Sequence, residues 1–177
     1  MFLHYFKKKE TEDKKIAELV YRKIINNVNS IISSNSSVLK NNINTTFELT
    51  SIFLISIFFG SKLKKNRDDF LILQEIMNLF ILDLDYSFRL YGIADMSIGK
   101  HVKFYLKKLY FRISNYEKIF ENSDIDNFVL FFKDLKIFNN RVNRKPIIFY
   151  LYDVSNKLIK ESKKNKINID FLSDLFI

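Results

Sequence analysis

Cysteine and tryptophan are absent from this 177-residue chain, and it has one proline, three glycines and two histidines. Without cysteine there is no disulfide, thiolate-bound metal or cysteine nucleophile. His4 and His101 are far apart in sequence, and no histidine or carboxylate stands at ligand spacing from His101, so no metal site and no cofactor are expected. So few glycines and prolines leave little to turn the chain sharply, which argues for long helices with few corners. No alternating strand pattern bounded by turn residues is present, and no internal repeat.

The residues that are present are largely apolar and basic. The hydrophobic share of 47% is far from that of a disordered chain, and the length suits one core rather than two. The aromatic residues are 19 Phe and 9 Tyr, and much of the Phe excess is expected to be drift in an AT-rich genome that also favours Lys, Asn and Ile. A formal charge of +9 attracts an acidic protein, a ribosome or the anionic face of a membrane. The opening MFLHYFKKKE places apolar residues ahead of its lysines and lacks the pattern of a secretory signal, so a cytoplasmic location is expected. Residues 1–10 read as a basic tail and 11–177 as a single helical domain. The most apolar stretch, residues 49–59, is about half of the ~20 residues that span a bilayer and reads as a buried core helix.

Three- and four-residue spacing of apolar side chains organises the rest into an all-α bundle. Ile16, Leu19, Val20, Ile24 and Val28 predict an amphipathic helix from Thr11, and the Ser- and Asn-rich run 29–44 predicts an irregular connection. A second helix over 46–59 is apolar nearly all round, with Gly60 and the basic KLKKNR stretch as its stop. A third, capped by Asp68, shows two apolar stripes: one through Phe70, Leu73, Met77, Ile81, Leu84, Phe88 and Tyr91, the other through Ile72, Ile76, Leu79, Leu82 and Tyr86. Gly92 fits a left-handed cap at its end, and Asp95 or Ser97 fits the start of a fourth helix with Ile98, Val102, Tyr105, Leu109, Ile113, Tyr116 and Phe120 on one side. A fifth helix begins at Asn122, Ser123 or Asp124 and ends near Asn139. Pro146 suits the first turn of a sixth, and Phe171, Leu172, Leu175 and Phe176 suggest a short terminal helix.

Individual residues offer little catalysis. Gly99 and Lys100 do not make a phosphate loop, because His101 stands where Ser or Thr is needed and no strand precedes them; Gly99 is expected to allow close helix packing. Asp83 and Asp85 are two apart on a helix and point to different sides, so they do not form an acid/base pair. Asp85 and Arg89, four apart, suit a local ion pair. Lys100, Phe104, Lys107, Phe111 and Lys118 fall opposite the apolar stripe of the fourth helix. That face is either solvated lysines with phenylalanines packed under a neighbour, or an exposed partner-binding strip. The lysines are dispersed over several helices and no nucleic-acid motif stands out, so no specific nucleic acid is expected as a partner; a basic helical nucleic-acid- or ribosome-binding protein is the alternative.

The segment DLDYSFRLYGIADMSIGKHVKFYLKKLYFRISNYEKIF, residues 83–120, resembles the signature region of the ubiquinol-cytochrome c chaperone family. Asp83, Asp85, Arg89, Gly92, Asp95, Ser97, Gly99 and Lys100 follow its pattern in order, continued by Lys103, Tyr110, Arg112 and Tyr116. Weaker similarity begins at Phe47 and Glu48. Phe53, Thr46 and Phe111 stand where a family histidine, arginine and glycine are expected. The resemblance implies a non-enzymatic assembly chaperone that binds newly made cytochrome b before it joins ubiquinol-cytochrome c reductase (respiratory complex III). It also implies a small helper protein, a position near the ribosome and contact with the anionic inner membrane as a peripheral protein. The candidate partner-binding residues combine the signature positions Asp83, Asp85, Arg89, Asp95, Lys100, Lys103 and Arg112 with Phe104, Lys107 and Phe111 from the outward face of the fourth helix, where Phe111 departs from the family pattern and carries no family function; Gly92, Ser97, Gly99, Tyr110 and Tyr116 are the structural residues of the signature.

Overall fold

The computed structural model describes residues 2–64, 69–168 and 170, with side chains from residue 12 onward. Six helices account for nearly all of them: α1 (Phe2–Ser34), α2 (Ile43–Lys62), α3 (Phe70–Leu90), α4 (Asp95–Glu121), α5 (Ile125–Lys133) and α6 (Lys145–Lys164). Helix α2 forms the centre, packing against α6, α1 and α4, while α3 lies against α1 and α4 and α5 bridges α4 and α6. No strand occurs among the described residues; the nearest approach to one is an isolated antiparallel bridge between Leu39 and Phe138.

The centre follows from the sequence of α2. Its buried residues, among them Phe47, Leu49, Ile52, Phe53, Leu54, Ile55 and Ile57, lie all round its circumference, as an all-round apolar helix must be placed. At 20 residues it is longer than the apolar run alone suggests, and by length and composition it is sufficient to cross a membrane. It is instead the core of the bundle: 78% of its apolar window is buried by the other helices. Asn42 caps its start, accepting a hydrogen bond from the Thr45 amide at 3.0 Å.

The basic stretch after Gly60 ends α2, at Lys62, but Gly60 itself is no stop and the helix passes through it. A Cβ there would run into the Ser162 hydroxyl and lie 2.5 Å from the Ile159 carbonyl oxygen, so the missing side chain is what lets α2 and α6 approach. Gly99 is the reverse of its expectation, since no atom lies within 4 Å of a Cβ built there. Gly92, at φ 76°, is the left-handed cap the sequence implies, and the Ile93 amide donates to the Phe88 carbonyl at 3.1 Å across it.

Other boundaries shift. Helix α1 begins well before Thr11 and runs on to Ser34, through much of the Ser/Asn-rich stretch, because its buried line continues through Ile31 and Ile32. The connection after it is fixed by Asn139, whose side-chain amide donates to the Ser36 and Ser37 carbonyls at 3.0 and 3.1 Å. Helix α5 ends at Lys133, short of Asn139, and starts on Asp124, which accepts from the Asn127 amide. Asp68 and the terminal helix expected at 171–176 lie outside the described residues. Helix α3 buries one stripe, not two: Ile72, Ile76, Phe80, Leu84 and Phe88 face inward, while Leu82, Tyr86 and Leu90 are exposed.

The phenylalanines are not mere excess. Tyr116, fully buried, is ringed by Phe120, Phe128, Phe131 and Phe132 at centroid separations of 5.0 to 6.2 Å, and Phe128 meets Tyr152 of α6 edge-on at 5.0 Å. This aromatic cluster fastens α5 and α6 to α4.

Candidate functional site: the outer face of α4

Helix α4 has two sides with different chemistry. Ile98, Leu109, Tyr116, Ile119 and Phe120 are buried toward the bundle, as their spacing predicts. Residues 96–116 include Lys100, Lys103, Lys107, Lys108 and Arg112 and no Asp or Glu at all. That run of uncompensated charge is resolved in two ways, depending on which side of the helix a cation occupies.

On the inner side the cations are consumed within the fold. The Arg112 guanidinium donates to both carboxylate oxygens of Glu48, each at 2.8 Å, and the Lys108 ammonium reaches the same carboxylate at 2.7 Å. Glu48 is 1% exposed, so a carboxylate buried in an apolar helix is matched by two cations from α4. Arg112 also lies over the Phe131 ring at 4.8 Å. Burial disfavours its charged form, yet the hydrogen bonds and charge of Glu48 prevail and hold its pKa above the usual guanidinium value. Arg112 is therefore a core residue and not a surface contact.

Most of the acidic signature residues are also occupied within the chain. Asp83 accepts a hydrogen bond from the buried Tyr21 hydroxyl at 2.9 Å, tying α3 to α1. Arg89 donates to Asp85 at 2.7 Å and to Asp95 at 2.6 Å, closing the corner between α3 and α4. The Asp85–Arg89 pair is the one its four-residue spacing predicts. Asp95 does not cap α4, which starts from Ala94 without a side-chain cap. Ser97 is half-buried, and Gly99 sits on the open side of the first turns of α4.

On the outer side none of the described residues covers the helix. Phe104 is 61% exposed and Phe111 57%, which removes the possibility that a neighbouring helix packs over them. Tyr110 is exposed as well, so it is not part of the core, and Met96 is wholly exposed. Lys100, Lys103 and Lys107 lie between these side chains and make no ion pair with any described residue. From Met96 to Phe111, over about 23 Å at 1.5 Å per residue, the face alternates apolar tips and free ammonium groups. The exposed Leu90 and Tyr91 extend it around the Gly92 corner. Of the ten candidate partner-binding residues, Lys100, Lys103, Phe104, Lys107 and Phe111 thus share one open face, while Asp83, Asp85, Arg89, Asp95 and Arg112 have partners in the fold.

Sequence reasoning missed Lys108, Met96, Leu90 and Tyr91, and gave Glu48 no role. A signal for the first existed: Lys108 and Arg112 are four apart, and Glu48 is the lone carboxylate of an otherwise uncharged, apolar run. The exposed apolar residues at the corner carry no such signal, because exposure there depends on what the rest of the chain fails to cover.

The molecule is thus an all-α bundle with a buried ionic cluster at its centre and an uncovered basic and aromatic helix outside. The ubiquinol-cytochrome C chaperone family profile matches residues 35–130, from the connection after α1 into α5, and the chain belongs to that family. The fold is similar to that in a crystal structure of the Cbp3 homolog from Brucella abortus, with a TM-score of 0.74 and 19% sequence identity over 96% of this chain and 98% of that one. No curated protein matches in sequence.

Proposed function

We propose that the protein is an assembly chaperone for ubiquinol-cytochrome c reductase that holds newly made cytochrome b along the outer face of α4. Membership of the chaperone family supports the complex, and the observation that carries the site is the exposure of Phe104 and Phe111 among three unpaired lysines. An uncovered apolar face of this kind is uncommon on a soluble domain and marks a surface meant for a partner. Cytochrome b is a membrane protein, so before assembly it presents apolar helices and polar loops that need covering. The phenylalanine and tyrosine rings supply contact area to the apolar parts, and the lysines set orientation against acidic groups more than they add affinity. The protein acts by binding rather than by catalysis.

Deletion of the gene tests the client, and variants test the face. Loss of the protein is expected to lower assembled ubiquinol-cytochrome c reductase while other respiratory complexes remain. Crosslinking from membranes carrying labelled nascent protein should recover cytochrome b with the wild-type chain and much less with Lys100→Glu/Lys103→Glu. Normal cytochrome b levels in the deletion strain refute the client; recovery undiminished by the double variant refutes the face.

A further inference from the structure

Helices α2 and α3 leave a cavity of about 80 Å³ between them, on the side of α3 that carries Asp83. Phe47 and Phe80, both buried, give it aromatic surface, and Thr46, Thr50, Asp83 and Ser87 line it with polar groups. Thr50 is 1% exposed, yet its hydroxyl has no hydrogen-bond partner among the described residues. A buried hydroxyl in that state is costly, so whatever fills the cavity is expected to bond it. Asp83 accepts one hydrogen bond, on Oδ2, from Tyr21. A carboxylate accepts about four, so Tyr21 does not exhaust it.

The charge of the cavity runs against that of the chain. The sequence has 29 Lys and Arg against 20 Asp and Glu, but no Lys or Arg among the described residues lines this wall, and Asp83 does. The mouth is flanked by apolar surface. Asp83, Ser87 and Tyr91 follow one another at four-residue steps to the end of α3, and Leu82, Tyr86 and Leu90 run beside them, each 60 to 70% exposed. An acid at the rim of a small cavity thus lies alongside a ridge that no described residue covers.

We infer that this cavity receives an arginine side chain from a partner polypeptide whose neighbouring apolar residues lie along Leu82, Tyr86 and Leu90. A guanidinium is a flat fork of five N–H donors, able to bond the Asp83 carboxylate, donate to the Thr50 oxygen and lie against aromatic surface at once. Lysine fits less well, because its ammonium is a strongly hydrated point charge with no plane to lay against a ring. The volume is about half of the ~150 Å³ that admits benzene in an engineered core, which suits the head of one side chain and not a nucleotide. Water is the competing occupant. The inference does not rest on what α4 holds, and its test involves no cytochrome b.

Isotope-labelled full-length protein, titrated with the peptide acetyl-Ala-Arg-Ala amide, should show the amide signals of Thr50 and Ser87 moving along a saturating curve. The same peptide with citrulline, the neutral isostere of arginine, should bind about tenfold or more weakly, since a hydrogen bond to a charged group is lost to a neutral one. The lysine peptide should also bind more weakly than the arginine one. Asp83→Asn is expected to cost about tenfold or more in affinity. Because Asp83 also holds Tyr21, Thr50→Val is the second variant: it removes only the unpaired hydroxyl, should melt no earlier than the wild type, and should weaken the arginine peptide by about threefold to tenfold. No saturable shift at these positions, which would leave water as the occupant, equal affinity for the lysine or citrulline peptide, or undiminished binding by both variants would each overturn the assignment.

Discussion

Arg112 reaches from α4 to α2 and holds both oxygens of Glu48, each at 2.8 Å, with Lys108 on the same carboxylate. The pair is 64 residues apart in sequence and joins the helix that forms the core to the helix that bears the candidate face. Removing Arg112 takes both of its hydrogen bonds from the buried Glu48 and leaves Lys108 as the carboxylate's cation, so the loss falls short of that for a buried charge left wholly unpaired. Arg112→Met is therefore expected to cost up to about 3 kcal/mol, the lower end of the range for breaking a buried pair. Glu48→Gln/Arg112→Met should recover part of that loss. Urea denaturation of the two singles and the double gives the coupling, and additive losses with no recovery would mean that the pair is not a unit.

Two tyrosines add a dependence on alkaline pH. Burial first, then the charge and hydrogen bond of Asp83, push the Tyr21 hydroxyl far above its ordinary pKa. Burial and then the charge of Glu48 push Tyr116 in the same direction, against a smaller opposing effect of Arg112. In the unfolded chain both ionise near pH ~10. A group whose folded pKa is raised contributes its full stability below the unfolded value, so stability is flat up to about pH 10 and falls above it as the unfolded chain alone releases protons. Ultraviolet titration of tyrosinate should show these two groups ionising only with unfolding. Tyr116→Phe should reduce the alkaline decline and leave neutral stability unchanged or raised by about 1 kcal/mol, because its hydroxyl has no hydrogen-bond partner among the described residues. A clear loss at neutral pH would show that the hydroxyl is satisfied.

The all-α architecture and the inner stripe of α4 were legible because they rest on local periodicity, which packing then confirmed at Ile98, Leu109 and Tyr116. Long-range facts were not legible. Nothing near Asp83 in the sequence indicates Tyr21, and nothing near Gly60 indicates Ser162, since each relation arises from how two helices meet. The two stripes of α3 held only in part for a related reason: Ile72 and Ile76 are buried, but periodicity does not report whether another element covers Leu82 and Tyr86 of the same stripe, or Phe70 and Tyr91 of the other, and all four are exposed. For the candidate face, spacing placed Phe104 and Phe111 opposite the core and left both of their readings open. Their exposure shows that neither is packed under a neighbouring helix among the described residues. Arg112 was misplaced because a cation in a basic helix looks external until its carboxylate partner is known.

The two helical glycines should respond oppositely to alanine. At Gly60 the added carbon meets the Ser162 hydroxyl and the α6 backbone at Ile159, so Gly60→Ala forces the helices apart and is expected to cost about 1 to 3 kcal/mol or more. At Gly99 the position is open and helical, and Gly99→Ala should stabilise by up to about 1 kcal/mol. Thermal melts of both variants decide the matter. Equal effects would mean that α2 and α6 are not in the close contact described.

The candidate face separates from the core at the level of single residues. Leu109 is buried and Leu109→Ala should lower stability by about 2 to 5 kcal/mol, the range for deleting a leucine side chain from a core. Lys100 and Lys103 make no ion pair with any described residue, so Lys100→Glu/Lys103→Glu should leave the melting temperature nearly unchanged. Phe104→Ser/Phe111→Ser should behave likewise, within roughly 0.5 kcal/mol per site, as surface substitutions usually do. Capture of cytochrome b should show the reverse order. Both surface variants are expected to lose it by about tenfold or more at low salt, the charge variant mainly through slower association and the aromatic one mainly through faster release. Leu109→Ala should retain capture at temperatures where it remains folded. Melting curves and capture measured side by side on the three variants separate the two roles, and full capture by both surface variants would remove the outer face of α4 as the client site.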